Sequence, residues 1–381
     1  MSVVVTVVAV DRLLPVFGYK SQPFSWDWTI NGYYELHQQR IYTLAKNAKA
    51  PNNPNENTDT NGFRYDPYDN NKIDKKNSIF MFGDSFVYGH LMNDDQTLPF
   101  HVQQYAVKNG KNVDIINAGI PGYGTDQIYI YIQEVMKTYN PSVIIWNVNP
   151  NDIGDSNDAC LFKKNSNEKL EEIPIWMQSL YLEGYIVRKA PKFIQQSTIV
   201  NLIIKNLKHG HERFSIGCTL AYDRPDEILS RGLEKLGYLI EKIELIARQK
   251  GIRMIYTLLP AEFYFDPLLF SNSSDDLTRY FLLEKMLRGN NRTFIDMNEL
   301  LARSQFSDVL AIRNPALAGF LAYSQLENDE HVLGVSQEKP TSLFIDGDGE
   351  VGYRHLNQKG NELLGKLISQ ELFFGSQVKI Y

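Results

Sequence analysis

The chain has 381 residues, room for one large α/β domain with insertions or for two domains. Hydrophobic residues make up 43% and charged residues 22%, as in an ordinary globular protein, and a net charge of -6 without any long basic run argues against a nucleic-acid surface. The two cysteines, Cys160 and Cys218, lack metal-ligand spacing, and no ligand set for a metal or an organic cofactor stands out.

At the N-terminus, residues 2–10 are apolar, Asp11 and Arg12 interrupt, and residues 13–19 are apolar again. The uninterrupted run is too short to span a bilayer. No Lys or Arg precedes it and no small-residue cleavage site follows at once, so it makes a poor signal peptide. It reads either as the tail of a membrane anchor or as a packed N-terminal strand. The expectation leans to an exported, periplasmic or membrane-anchored protein near a membrane, with the cytoplasm as the alternative. Residues 20–77 hold aromatic residues and then a polar tract rich in Asn and Pro, a loop without its own core. Asn61-Gly62-Phe63-Arg64 leads out of it towards the main domain.

Residues 79–82 form the first apolar run of strand length, and it stops at Gly83-Asp84-Ser85. A helix is expected over 97–110, with Thr97 as N-cap and Pro99 in the first turn. A second strand, 113–116, ends in Asn117-Ala118-Gly119-Ile120-Pro121-Gly122-Tyr123-Gly124. Thr125 suits the N-cap of the helix that follows, with Ile128, Ile132, Val135, Met136 and Tyr139 on one face. The third strand, 143–148, is mostly apolar, as in a strand buried on both faces, and runs into Asn149-Pro150-Asn151-Asp152. Alternating strands and helices define a parallel sheet. Residues 155–224 break the rhythm and hold both cysteines; they read as an insertion, either a lid or a helical subdomain. The cysteines are either buried thiols or one disulfide tying that insertion down, which needs an oxidising compartment.

The rhythm resumes at Pro225. A long amphipathic helix carries Leu229, Leu233, Leu236, Ile240, Ile243 and Ala247 and ends at Gly251. A fourth strand (252–259), a helix (275–287) and a short fifth strand (293–296) follow. Residues 304–340 are a second irregular insertion. The chain closes through Tyr353-Arg354-His355-Leu356-Asn357 into a helix with Leu363, Leu364, Leu367 and Ile368 on its buried side.

Four signals thus stand in order: Gly-Asp-Ser after the first strand, Asn-x-Gly-x-x-Gly after the second, Asn-x-Asn-Asp after the third, and His-Leu-Asn before the last helix. Each alone is weak; together they resemble the SGNH (GDSL-type) hydrolase superfamily over most of residues 78–372. The resemblance implies a three-layer α/β/α, flavodoxin-like fold with a mostly parallel sheet of about five strands. It divides the chain into an N-terminal extension and polar loop (1–77), a hydrolase domain (78–372, with insertions 155–224 and 304–340) and a tail (373–381). It implies a serine esterase without a cofactor that acts on a small ester or an acylated carbohydrate. Ser85 would be the nucleophile and His355 the general base. The Ser85 N–H, the Gly122 N–H and the Asn151 amide would form the oxyanion hole, a role that suits a residue without Cβ and a neutral amide donor. Gly119, the rival to Gly122, reads as turn geometry. His90, close to Ser85 in sequence, is the rival to His355, with Gly89 and Leu91 suggesting a loop that turns away. The chain departs from the pattern at the acid: three residues before His355 stands Gly352. Asp348 is the first choice and Asp346 the second, with Glu350 also near; a carbonyl could orient the ring instead. Tyr123, Tyr129, Tyr131 and Trp146 near the motif loops suggest a sugar ester, and core packing accounts for them equally well. An acyltransferase or a non-catalytic carbohydrate-binding protein would carry the same fold.

Overall fold

The computed structural model describes residues 10–17, 32–51, 53–67, 78–164, 170–175, 225–259, 274–289, 292–297 and 355–375, with isolated positions at 181, 185, 197–199, 300 and 345. The N-terminal part holds an antiparallel hairpin of β1 (Tyr34–His37) and β2 (Ile41–Leu44). The central sheet has five strands: β3 (Ser78–Gly83), β4 (Asp114–Gly119), β5 (Val143–Val148), β8 (Arg253–Leu258) and β9 (Phe294–Asp296). Between them lies a small hairpin of β6 (Phe162–Lys164) and β7 (Leu170–Glu172). The helices are α1 (Ser85–Tyr88), α2 (Leu98–Lys108), α3 (Thr125–Thr138), α4 (Asn151–Ala159), α5 (Pro225–Gln249), α6 (Ser274–Arg288) and α7 (Gln358–Phe373).

The strand order is β4-β3-β5-β8-β9, and every pairing is parallel. This is the flavodoxin-like arrangement, and its order reverses at β3. Right-handed crossovers then put α2 on one face with α7, while α3 and α5 pack together on the other with α6 beside them. The strands are apolar because both faces are covered: every residue of β3 and of β5 is buried. Asn147, buried within β5, donates to the Thr257 hydroxyl of β8 at 2.9 Å and so links the two strands, while its Oδ1 is buried without a partner among the described residues.

The extension does not stand apart. Tyr33, Ile41, Tyr42, Leu44 and Phe63 are buried in the same core as the sheet. The Phe63 ring meets Phe80 edge-on at 5.4 Å and stacks on Tyr131 at 6.1 Å. Arg64 is buried as well, ion-paired with Glu56 and Asp94, donating to the Tyr88 hydroxyl and lying over the Tyr88 ring. Asn61-Gly62-Phe63-Arg64 therefore docks where the sequence suggested.

Two boundaries differ from expectation. β4 runs on through Asn117, Ala118 and Gly119, because Gly119 pairs in register with Gly83. The N-cap of α3 is Gly124, not Thr125, whose hydroxyl bonds instead to Ser156 at 3.0 Å. Cys160 caps α4 in a left-handed conformation and is disulfide-bonded; Cys218, the other cysteine, lies outside the described residues. The insertion 304–340 also lies outside them, as does most of 155–224. Among the described residues no helix is long and apolar enough to cross a membrane.

Candidate active site

Three loops leave the carboxyl ends of β3, β4 and β5 at the point where the strand order reverses, the usual position for a site in an open α/β sheet. β3 ends at Gly83, where a Cβ would come within 2.5 Å of the Val87 side chain, so α1 can fold tightly onto the strand. Asp84 caps α1, accepting from the Phe86 N–H at 3.0 Å, and Ser85 is the first helical residue. His355 arrives from the far end of the chain, just before α7. Its Nε2 lies 2.7 Å from Ser85 Oγ, although 270 residues separate the two. For Nε2 to accept the hydroxyl proton, the neutral ring carries its own proton on Nδ1. The His355 carbonyl accepts from the Ile345 N–H at 2.9 Å, which ties His355 to the segment before it. Asp346, Asp348, Glu350 and Gly352 lie outside the described residues.

His90 is placed differently from expectation. Gly89 and Leu91 are both left-handed (φ 82 and 62), and together they curl the loop back rather than away. The His90 N–H bonds to the Ser85 carbonyl at 3.0 Å, and its ring sits 5.0 Å from that of His355. Phe86 covers His355 at 4.5 Å. His90 and Phe86 thus wall the His355 ring in.

In the β4 loop, most amides are already committed. The Gly119 N–H bonds to Asn117 Oδ1, Ile120 to the Gly83 carbonyl, Tyr123 to the Ile120 carbonyl and Gly124 to Gln127 Oε1. Pro121 has no N–H. Among the described residues nothing accepts from the Gly122 N–H, and Gly122 is exposed. Gly119 has a different reason to be glycine: a Cβ there would come within 2.2 Å of the Tyr88 backbone nitrogen.

The β5 loop surrounds Asp84. Asn149 donates to Asp84 Oδ1 at 3.0 Å, and Asn151 donates to Asp84 Oδ2 at 2.8 Å and to Asp155 Oδ2 at 3.1 Å. Both amide hydrogens of Asn151 are therefore in use, and service as an oxyanion donor requires it to release Asp155. Asp84 is fully buried; burial raises its carboxyl, while the bonds from Asn151 and Phe86, the His355 charge and Asn149 work against that. Asp152 is also fully buried and is pushed well above the usual carboxylate range, first by burial and then by the Asp84 charge. Asp84, Asp152 and Asp155 bring oxygens within 4.8 Å of one another, and the Asn149, Asn151 and Phe86 donors meet Asp84 there. Asp84 and Asn149 were quoted in the motifs without a role; the buried carboxylate linking the first motif to the third is visible only once the sheet is assembled. Three of the four aromatic residues that suggested a sugar, Tyr123, Tyr131 and Trp146, are core residues.

No protein-family model matches the chain, and no curated protein does. Several solved structures are similar in the path of their chains. A lipase/acylhydrolase from Enterococcus faecalis is 16% identical at a TM-score of 0.36, over 77% of this chain and 94% of that one. A GDSL-like lipase from Bacteroides thetaiotaomicron is 12% identical at 0.35, over 79% and 90%. A catalytic mutant of an acetylxylan esterase from Geobacillus stearothermophilus is 11% identical at 0.39, over 80% and 97%. Likeness at this level carries no chemistry; that has to come from the residues at the site.

Proposed function

We propose that the protein is a serine ester hydrolase of the SGNH type, and the observation that carries this reading is the 2.7 Å approach of His355 Nε2 to Ser85 Oγ at the switch point of the sheet. A serine hydroxyl becomes a useful nucleophile when an imidazole can take its proton and donors await the oxyanion. In this reading His355 removes the Ser85 proton as Oγ attacks the ester carbonyl. The Gly122 N–H and the Ser85 N–H hold the oxyanion, joined by Asn151 once it lets go of Asp155. His355 then protonates the departing alcohol and activates the water that clears the acyl-serine. Asp348, or failing that Asp346, is the acid that would hold the ring.

The chain's own groups suffice for these steps. An acyltransferase would use the same acyl-serine, and product analysis with an acceptor sugar present separates it from hydrolysis. An O-acetyl ester on a polysaccharide stays the substrate proposed. With three of its four aromatic supports in the core, a panel of acetylated sugars against simple aryl esters has to decide it. The first test is labelling by a fluorophosphonate. Wild type should react at Ser85, and Ser85→Ala should lose labelling and at least about a thousandfold in aryl-acetate turnover while keeping its melting temperature. Equal turnover in both proteins would remove Ser85 from the chemistry.

A further inference from the structure

The loop that offers Gly122 is a tight turn. The Tyr123 N–H bonds to the Ile120 carbonyl at 3.2 Å, with Pro121 second and Gly122 third at φ 72, the signature of a type II turn. Types I and II differ by a flip of the central peptide, here Pro121–Gly122, and glycine in the third place tolerates both. The flip reverses the direction of the Gly122 N–H, so an oxyanion donor in this position needs something to fix the peptide.

That something is on the N-terminal hairpin. The Tyr42 hydroxyl donates to the Pro121 carbonyl at 2.7 Å. It crowds Gly122, where a Cβ would come within 2.9 Å of the same oxygen. In a planar trans peptide the C=O and the next N–H point opposite ways, so a donor holding the Pro121 oxygen fixes the Gly122 N–H on the other side. The same bond polarises the amide and strengthens it as a donor. Burial keeps the Tyr42 hydroxyl protonated, raised well above its ordinary value. The hairpin that carries it is anchored in turn. Tyr123 donates to the Tyr42 carbonyl, Arg40 donates to the Tyr123 hydroxyl at 2.7 Å, and Gln127 donates to the Arg40 carbonyl at 2.9 Å.

We propose that Tyr42 is a positioning residue for the oxyanion hole, its hydroxyl holding the Pro121–Gly122 peptide in the orientation that offers the Gly122 N–H to the carbonyl under attack. This rests on the esterase reading of Ser85. Pro121–Gly122 is the only Pro-Gly pair in the chain, so full-length protein labelled with carbonyl-13C proline and 15N glycine gives a single amide-to-carbonyl cross-peak for this peptide. Tyr42→Phe keeps the ring and removes the bond. It should move the Pro121 carbonyl resonance, slow Ser85 phosphonylation about tenfold and lower kcat for an aryl acetate by a similar factor, with KM within about twofold. A Tyr42→Phe rate within about twofold of wild type, with labelling still dependent on Ser85, overturns the role of Tyr42 and leaves the esterase reading standing. Wild type that fails to label overturns both. If Tyr42→Phe does not fold, wild type alone decides: phosphonylation must carry the Gly122 amide proton downfield, and an unmoved cross-peak refutes the proposal.

Discussion

Asp84 and Asp152 set the electrostatics behind Ser85. Asp84 accepts from Phe86, Asn149 and Asn151, whereas Asp152 Oδ2 accepts only the Asn149 N–H at 2.9 Å among the described residues, and its Oδ1 is buried without a partner. Burial and the Asp84 charge raise the Asp152 carboxyl well above its ordinary 3.8. The native state then holds this proton more tightly than the unfolded chain does. Its share of stability is full at acid pH, falls as pH rises through the ordinary value, and stays low beyond the folded one. Asp152→Asn cannot ionise, so it should exceed wild type by about 1 kcal/mol at pH 8, or roughly 2–4 °C in Tm, with the gain shrinking at pH 4. A variant less stable than wild type at pH 8 would mean that an ionised Asp152 is being used. None of this was legible from Asn-Pro-Asn-Asp alone, because what matters is the distance to Asp84, 68 positions earlier in the chain.

The β1–β2 hairpin carries its own pH response. His37 Nδ1 accepts the Gln39 and Arg40 N–H groups at 3.2 Å each, and burial, then the Arg40 guanidinium, lowers the ring from 6.5 to about 4. Glu134 lies 3.7 Å from His37 Nε2 but is committed to Arg40 at 2.9 Å, so its pull on the ring is the weaker one. The folded state favours the neutral ring. Its stabilisation is complete above the ordinary value and is lost as pH falls from 6.5 towards about 4. Thermal melts between pH 7 and 4 should therefore slope downward on acidification, and His37→Gln should flatten that slope; an unchanged slope would assign it to other groups. The hairpin itself escaped the sequence reading. Its strands have four residues each, and Ile41 at the turn is left-handed (φ 71), a conformation that a β-branched residue rarely adopts. The sheet strands were legible for the opposite reason: strands covered on both faces read as unbroken apolar runs. β4 was read short because its last residues, Asn117-Ala118-Gly119, are held by pairing with β3 and not by their own preference.

At the scale of the molecule, a buried ion pair ties together the helices on one face of the sheet. The Asp126 carboxylate on α3 accepts the Ser156 hydroxyl of α4, the Leu161 and Phe162 N–H groups and the Lys235 ammonium of α5 at 3.1 Å. Removing one partner of such a pair strands the other charge. Asp126→Ala should cost about 3–5 kcal/mol by denaturant midpoint, and replacing both Asp126 and Lys235 with apolar residues should cost less. The order of the four motif loops was readable in advance, since three follow strand ends and the fourth precedes the last helix. A carboxylate beside His355 was not, since Gly352 stands where the resemblance puts an Asp.

The docked extension bears on where a working gene fragment can start. A coding sequence trimmed to begin at Ser78 would keep all five sheet strands and both Ser85 and His355. It would discard Phe63 from its seat on Phe80 and Tyr131, and with Tyr42 the hydroxyl over Pro121. Such a fragment should be recovered as insoluble or sluggish material, so the shortest competent unit reaches back at least to Tyr33.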